Sequence, residues 1–415
     1  MNEEIITSLD IGSSKIFGVT GLIKSNEIEV IGASVLRPSE EIVKKGKVVD
    51  IEGLSNYLYE LFEDLKKQAG ERPEWIIVGI GGGFLKGKIY QKKINIDPPG
   101  KEITELDVFN LEREIKQDIL TELDGNSKII HCIPQEYMID DSKNITKPVG
   151  LHGNILEGKF HILKGMLNPI QDIIKSIKNA GAEVEKIFPH SWAMAESTST
   201  EEERKLGCLV IDFGKGTTDV SFYLNNTLIL TESFLGGGGN IDGDISIMIN
   251  TPISDAEELK KNYGWCNYPQ LLKERRSTIY QKVEILGPSG KRTKQVSIEK
   301  ISKIVYDRVK DIFENYIKAS LQNTSFFSPN LIGGGVIISG GSARLKGLMK
   351  FSEEVFGIPT RMGMPKKMLG LDREFLKPEF SVGIGLLLLG SKEERKNRKK
   401  TPFWIKIKEG IKKWF

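Results

Sequence analysis

Cysteine is scarce, with three residues at positions 132, 208 and 266. They stand too far apart in sequence for a C-x-x-C metal motif or a disulfide framework. Buried free thiols in a reducing cytoplasm are the expectation. Long apolar runs are missing too. No stretch approaches the ~20 consecutive apolar residues that span a bilayer. The first ten residues, MNEEIITSLD, are acidic and carry no basic segment ahead of an apolar core, so they do not read as a signal peptide. Basic charge is also missing from most of the chain. Residues 391–415 hold ten Lys or Arg and three Glu, a net +7, while the whole chain carries +3, so the first 390 residues sum to −4. A mildly acidic body excludes a generally basic nucleic-acid binder, and nucleic acid is not an expected partner.

What is present is an ample apolar content, 39% of 415 residues, enough for more than one packed core. IITSLDIG, KIFGVTGLI and EVIGASVL read as three strands, DIEGLSNYLYELFEDLKKQAG as an amphipathic helix ending at Gly70, and EWIIVGIGG as a buried strand. The same β-β-β-α-β order returns with LGCLVIDFG, DVSFYLNN, LILTESFLG, a helix from near Asp242, a long helix at about 298–322, and the strand GVIISGG. The fold class is therefore α/β, built from two duplicated halves about 200 residues apart, Asp10 to Asp212. Such a duplication places a ligand in the cleft between halves. Residues 84–164 interrupt the first half as an inserted subdomain. SKEERKNRKK, 391–400, lacks apolar periodicity and reads as a flexible polar linker.

Two turns carry phosphate chemistry. Asp10-Ile-Gly12-Ser13-Ser14-Lys15 and Asp212-Phe-Gly214-Lys215-Gly216-Thr217-Thr218-Asp219 occupy equivalent places in the two halves. Glycine lets the backbone aim N–H groups at an anion. Ser13, Ser14, Thr217 and Thr218 add hydroxyl donors, and Lys15 can neutralise phosphate charge. Asp10 and Asp212 can each hold the water shell of Mg²⁺. Asp-x-Gly turns also occur in ordinary hairpins; two at matching places favour the phosphate reading. Gly340, Gly341 and Ser342 follow a third strand, where a flat ring could approach the backbone and a helix N-terminus face an anion. Gly237 and Gly238 precede a helical pattern and are a further phosphate candidate. Gly81-Gly82-Gly83 is not a dinucleotide fingerprint, because the alternating FLKGKIYQKKINI that follows is strand-like.

With two Asp-x-Gly hairpins and a Ser-Gly-Gly in this order, the chain resembles the actin, Hsp70 and sugar-kinase ATPase superfamily. Within it, the chain resembles the bacterial cell-division family FtsA. Ile133-Pro-Gln-Glu-Tyr137 with Gly150-Leu-His-Gly153, the run Asp255 to Lys260 with Tyr263-Gly264, Pro378 to Gly385, and the tail carry that match. The resemblance implies actin-like (RNase H-like) halves: 1–83 with 165–196 and 365–390, and 197–230 with 300–364. It implies an insertion at 84–164, a subdomain at 231–299, a linker at 391–400 and a membrane-targeting helix at 401–415. It further implies an ATP–Mg²⁺ cleft, with Glu257 and Lys260 on one helix face toward the nucleoside. Self-assembly into actin-like filaments is implied as well. The implied setting is the division septum, at the cytoplasmic face of the inner membrane among other division proteins. There the acidic tail of FtsZ would dock near Lys273, Arg275 and Arg276. His190 stands roughly where relatives often place Glu beside the attacking water, and Lys215 replaces a common Gly. Both departures leave hydrolysis in doubt while sparing nucleotide binding; Glu196 is the alternative catalytic group. A pilus-assembly relative and a small-molecule kinase of the same superfamily are the rival readings.

The last fifteen residues, TPFWIKIKEGIKKWF, form one apolar face if helical. At 100° per residue Phe403, Trp404, Ile407, Ile411, Trp414 and Phe415 fall within an arc of roughly 120°, and only Ile405 breaks the pattern. The lysines lie outside it, which is the pattern of a helix in an anionic membrane interface. Six large side chains half buried give ~5–8 kcal/mol, against more than ~10 kcal/mol to order the segment. One tail is thus expected to bind weakly, and a polymer of many tails tightly.

Overall fold

In the computed structural model, residues 4–24, 27–274, 276–286, 293–322, 324 and 328–398 are described. Two five-stranded sheets carry the architecture, and their strand orders match. In the first, Glu183–Pro189, Trp75–Ile80, Glu4–Ile11, Ile16–Lys24 and Glu27–Leu36 lie side by side. In the second, the matching order is Thr360–Met362, Val336–Ser339, Cys208–Phe213, Thr217–Leu224 and Thr227–Leu235. Each central strand pairs antiparallel with its hairpin partner and parallel with the strand on its other side. Asp10 stands level with Gly79, and Asp212 with Ser339, so both carboxylates sit at the C-terminal ends of central strands. Open α/β sheets bind ligands beyond such ends.

Helices cover the sheets for reasons visible in their spacing. Ile51–Ala69 buries Leu54, Leu58, Leu61, Phe62 and Leu65, a stripe at helical period, against the first sheet. Five such side chains supply roughly 8–15 kcal/mol of gross burial before entropy is subtracted. The Asp50 carboxylate accepts from the Gly53 N–H at its start, and Gly70 ends it at φ +86°. On the other face of the first sheet, Phe17 packs against Phe375 and Phe380, with ring centroids 5.3 and 4.8 Å away. In the second half, Ile298–Lys310 buries Ile301, Ile304, Val305 and Val309. The long helix expected to 322 widens at Asp311–Lys318 into π-helical turns that set Ile312, Phe313 and Ile317 into the core.

The interrupting segment forms its own layer. Strands Leu85–Asn95, Ile155–Met166, Ser127–Ile139 and Ser142–Ile145 make an antiparallel sheet. Helix Glu105–Glu122 packs on it through Leu111, Ile115 and Ile119. Thr104 and Asp107 close the start of that helix as a reciprocal cap.

The polar run expected as a linker behaves otherwise up to residue 398. Helix Ser381–Arg398 continues through it. Its Glu, Lys and Arg are good helix formers, and the Lys392 ammonium lies 2.5 Å from a Glu196 carboxylate oxygen. The six apolar tail positions, 403, 404, 407, 411, 414 and 415, lie outside the described residues. Among the described residues no helix is long and apolar enough to cross a membrane.

Candidate functional site

Between the two halves lies a cleft of about 630 Å³, lined by Asp10 to Lys15, by Asp212, Gly214 to Thr217, by Glu257 and Lys260, and by Gly340 to Ser342. The two turns that face each other across it are built alike. In each, the glycine N–H donates to a carbonyl three residues on, Gly12 to Lys15 at 2.9 Å and Gly214 to Thr217 at 3.0 Å. The Gly216 backbone closes on the first turn, since a Cβ there would lie 2.6 Å from the Ser13 hydroxyl oxygen.

The charges are arranged less evenly. The Lys15 ammonium lies 2.5 Å from an Asp10 carboxylate oxygen, and both side chains are buried. Asp212 makes no ion pair among the described residues. Burial pushes its carboxyl well above the usual range, and the charges of Asp219 and Asp10 push it further, outweighing the opposing charge of Lys15. Asp219 pairs directly across from Asp212 in the hairpin. It is raised by burial, against the opposing effects of His190 and of hydrogen bonds from Ser233, Thr217 and Gly82. His190 begins the helix His190–Thr198 and turns into the cleft, its Nε2 3.6 Å from an Asp10 oxygen.

On the opposite wall, Glu257 accepts from Lys215 at 3.0 Å and lies 2.9 Å from Lys261. Burial opposes its ionisation, but the hydrogen bonds and charges of Lys261 and Lys215 prevail and hold it at about 2. The Lys260 ammonium donates to the Gly238 carbonyl at 3.0 Å and lies 2.7 Å from Asp242. This wall offers fixed cations and an ionised carboxylate beside the turns, a polar set suited to a phosphorylated ligand with hydroxyl groups. The residues fit Mg²⁺ as well: two buried carboxylates at strand ends, one of them in no ion pair among the described residues, suit added positive charge.

Residues 209–385 match the family model described as "Cell division protein FtsA", and residues 85–164 match that of the "SHS2 domain inserted in FTSA". A "Cell division protein FtsA" of Borreliella burgdorferi is 31% identical over 100% of this chain and 99% of its own length. The chain belongs to the FtsA family. A Pseudomonas aeruginosa relative of the same description is 27% identical over 94% of this chain and 90% of its own. Among solved structures, the "PilM-PilN type IV pilus biogenesis complex" aligns with a TM-score of 0.65 at 15% identity, over 93% of this chain and 98% of that one. MreB5 of Spiroplasma citri bound to ADP aligns with a TM-score of 0.54 at 16% identity, over 96% and 99%. Its fold is thus actin-like with an inserted SHS2 domain, and this FtsA-family chain is a cell-division protein.

The cleft gathers most of the residues singled out in the sequence, but not all. Thr218 faces away: in a strand neighbours alternate, and its hydroxyl donates to the Gly236 carbonyl at 2.7 Å. Gly238 and Gly239 donate their N–H groups to the carbonyls of Gly214 and Lys215, and the Gly237 N–H donates to Asn240, so these amides dock the helix Gly238–Ile249 onto the second turn. No long helix starts at Gly341; a single 3₁₀ turn runs to Arg344, and the helix Leu348–Phe356 follows. Glu196 lies six residues past His190 on the same helix, roughly 120° around it, and bonds to Lys392 behind the cleft. Lys273 is exposed in the helix Tyr268–Glu274, Arg276 begins Arg276–Ile279, and Arg275 lies outside the described residues.

Two parts of the site escaped the sequence reading. Asp219 closes the second stretch, and the sequence reading gave it no role, although a charge within an apolar strand was the available signal. Gly81 lines the cleft, and the Gly82 N–H donates to the Ser233 hydroxyl at 2.8 Å. Indeed a strand, Leu85–Asn95, follows these glycines, so they join the site as a floor rather than as a dinucleotide loop.

Proposed function

We propose that this FtsA-family protein binds ATP with Mg²⁺ in the cleft, assembles into actin-like filaments, and tethers FtsZ filaments to the cytoplasmic membrane at the septum. The observation that carries the nucleotide part is the pair of matched turns, closed by equivalent hydrogen bonds and facing each other with Asp10 and Asp212. Ser13, Ser14 and the turn amides bind phosphate oxygens, and Lys15 neutralises their charge. Mg²⁺, when bound, supplies the positive charge that Asp212 lacks. Glu257 and Lys260 flank the sugar, and Gly340 and Gly341 leave room for the base. His190 stands where a water beside the phosphates can be oriented, with binding rather than fast turnover as the main task.

Phe403, Trp404, Ile407, Ile411, Trp414 and Phe415 supply the apolar face of the anchor, and the surrounding lysines favour anionic lipid. The surface near Lys273 receives the acidic tail of FtsZ. Ligand binding closes the cleft and favours the polymer, and the polymer multiplies a weak anchor into a strong one.

The test is liposome co-sedimentation of the full chain and of a 1–390 truncation, each with and without Mg-ATP, with pellets imaged for filaments. The expected result is nucleotide-dependent filaments that pellet with anionic liposomes, and loss of pelleting on truncation. Equal pelleting by both chains, or no polymer, contradicts the tethering role.

A further inference from the structure

A larger groove, of about 1240 Å³, lies where the inserted subdomain meets both halves, and it shares no lining residue with the cleft. Strand Ser127–Ile139 of the insertion borders it, as do the first sheet's outermost strand Glu183–Pro189 and the helices Leu167–Asn179, His190–Thr198 and Ser381–Arg398. Its apolar walls are Ile129, Ile133, Ile174, Ile187, Trp192 and Leu389. The walls are tied at one point: the His131 Nε2 lies 2.7 Å from the Ile187 carbonyl oxygen, and its ring stacks on Phe188 at 5.2 Å. Both strands present an edge. Ser127–Ile139 pairs with Ile155–Met166 along one side, but on the other meets Ser142–Ile145 only at Tyr137 and Ile139. Among the described residues, Glu183–Pro189 pairs with no strand but Trp75–Ile80. A strand edge is a template for a further strand.

Residues 403–408 lie outside the described residues, and their sequence fits this groove. In a helix, Ile405 stands about 140° from the centre of the tail's apolar arc, between Lys412 and Glu409. Anchoring leaves it without a task. In an extended chain side chains alternate, so Phe403, Ile405 and Ile407 share one face while Lys406 and Lys408 take the other. The segment is also near. Leu389 and Lys392, a turn apart on Ser381–Arg398, line the groove. Arg398 lies about 9 Å along the helix beyond Lys392, and the stretch from Arg398 to Phe403 reaches up to ~17 Å, enough to return. We propose that residues 403–408 dock in the groove of their own chain, extended and added to a bordering strand edge. Phe403, Trp404 and Ile407 serve both states, so a tail in the groove is withheld from lipid, and lipid draws it out. Docking needs no membrane; its regulatory meaning rests on the anchor proposed above.

Hydrogen exchange is followed by mass spectrometry, without lipid, on the full chain, on a 1–400 truncation, and on the full-length variants Ile405→Lys and Ile411→Lys. The expected result is ~10-fold slower exchange across 127–136 and 183–189 in the full chain than in the truncation. Ile405→Lys loses that protection yet still pellets with anionic liposomes, because position 405 lies on the lysine side of the helix. Ile411→Lys, outside the docking segment, keeps the protection and pellets less. Anionic liposomes raise the exchange of the full chain to the level of the truncation. Equal exchange in the full chain and the truncation, or wild-type exchange in Ile405→Lys, overturns the proposal. Protection that grows with protein concentration also overturns it, because the occupant is then another copy. Pelleting lost on truncation with exchange unchanged removes this proposal and leaves the anchor. Tail-dependent protection in a chain that never pellets does the reverse.

Discussion

The two turns of the cleft share a backbone and differ in charge. Counted from each aspartate, Lys15 of the first turn corresponds to Thr217 of the second, and Phe17 to Asp219. The first turn therefore neutralises its own carboxylate and anchors its strand with an aromatic ring. The second carries two buried carboxylates, neither in a direct ion pair with a lysine among the described residues, although the charge of Lys15 reaches Asp212. Duplication fixes the frame, and point differences divide the charges: one turn pairs its own carboxylate, and the other leaves its carboxylates for the ligand proposed above.

The strongest way to break this comparison is to give the first turn the second's charge. Phe17→Asp removes a fully buried ring that packs on Phe375 and Phe380 and buries a carboxylate. It should cost about 5 kcal/mol or more, seen as loss of a cooperative thermal transition. Next, Lys15→Met leaves the Asp10 carboxylate buried and unpaired, with an expected loss of about 3 kcal/mol in denaturant unfolding.

The second turn should respond with the opposite sign. Asp212→Asn should stabilise the cation-free protein by about 1 kcal/mol. The Asp212 carboxyl titrates above its ordinary 3.8 when folded. Between those values the folded chain keeps a proton that the unfolded chain has released, so stability falls as pH rises through that window. The variant's advantage in melting temperature should therefore grow from about pH 4 upward and vanish when the cation is present.

The smallest effect concerns the back of the helix His190–Thr198. Burial of Glu196 opposes its ionisation, but the Lys392 hydrogen bond and charge prevail and hold it below the usual range. Its contribution is present at neutral pH and is lost as pH falls through the lowered value. Lys392 is half exposed, so Lys392→Met should cost only about 0.5 kcal/mol at pH 7 and less in acid.

How legible all this was in the sequence depends on distance along the chain. The turns, the repeated strand order and the insertion are local patterns, and they stand where the spacing placed them. What failed was side-chain direction and partnership across the chain. Thr217 and Thr218 look interchangeable as a pair, but strand alternation sends only one into the cleft. His190 and Glu196 share a helix, and 3.6-residue geometry turns only the first inward. The Gly82 contact to Ser233 joins residues 151 apart, which no local period reveals.

The central claim, that the second turn is finished by a cation-bearing nucleotide, is tested most directly by calorimetric titration of the full chain with ATP. The titration is run with a divalent cation, with a chelator, and with Asp212→Asn. The account predicts saturable binding that weakens ~10-fold or more on chelation or substitution. Equal affinity in all three titrations, or no binding in any, contradicts it.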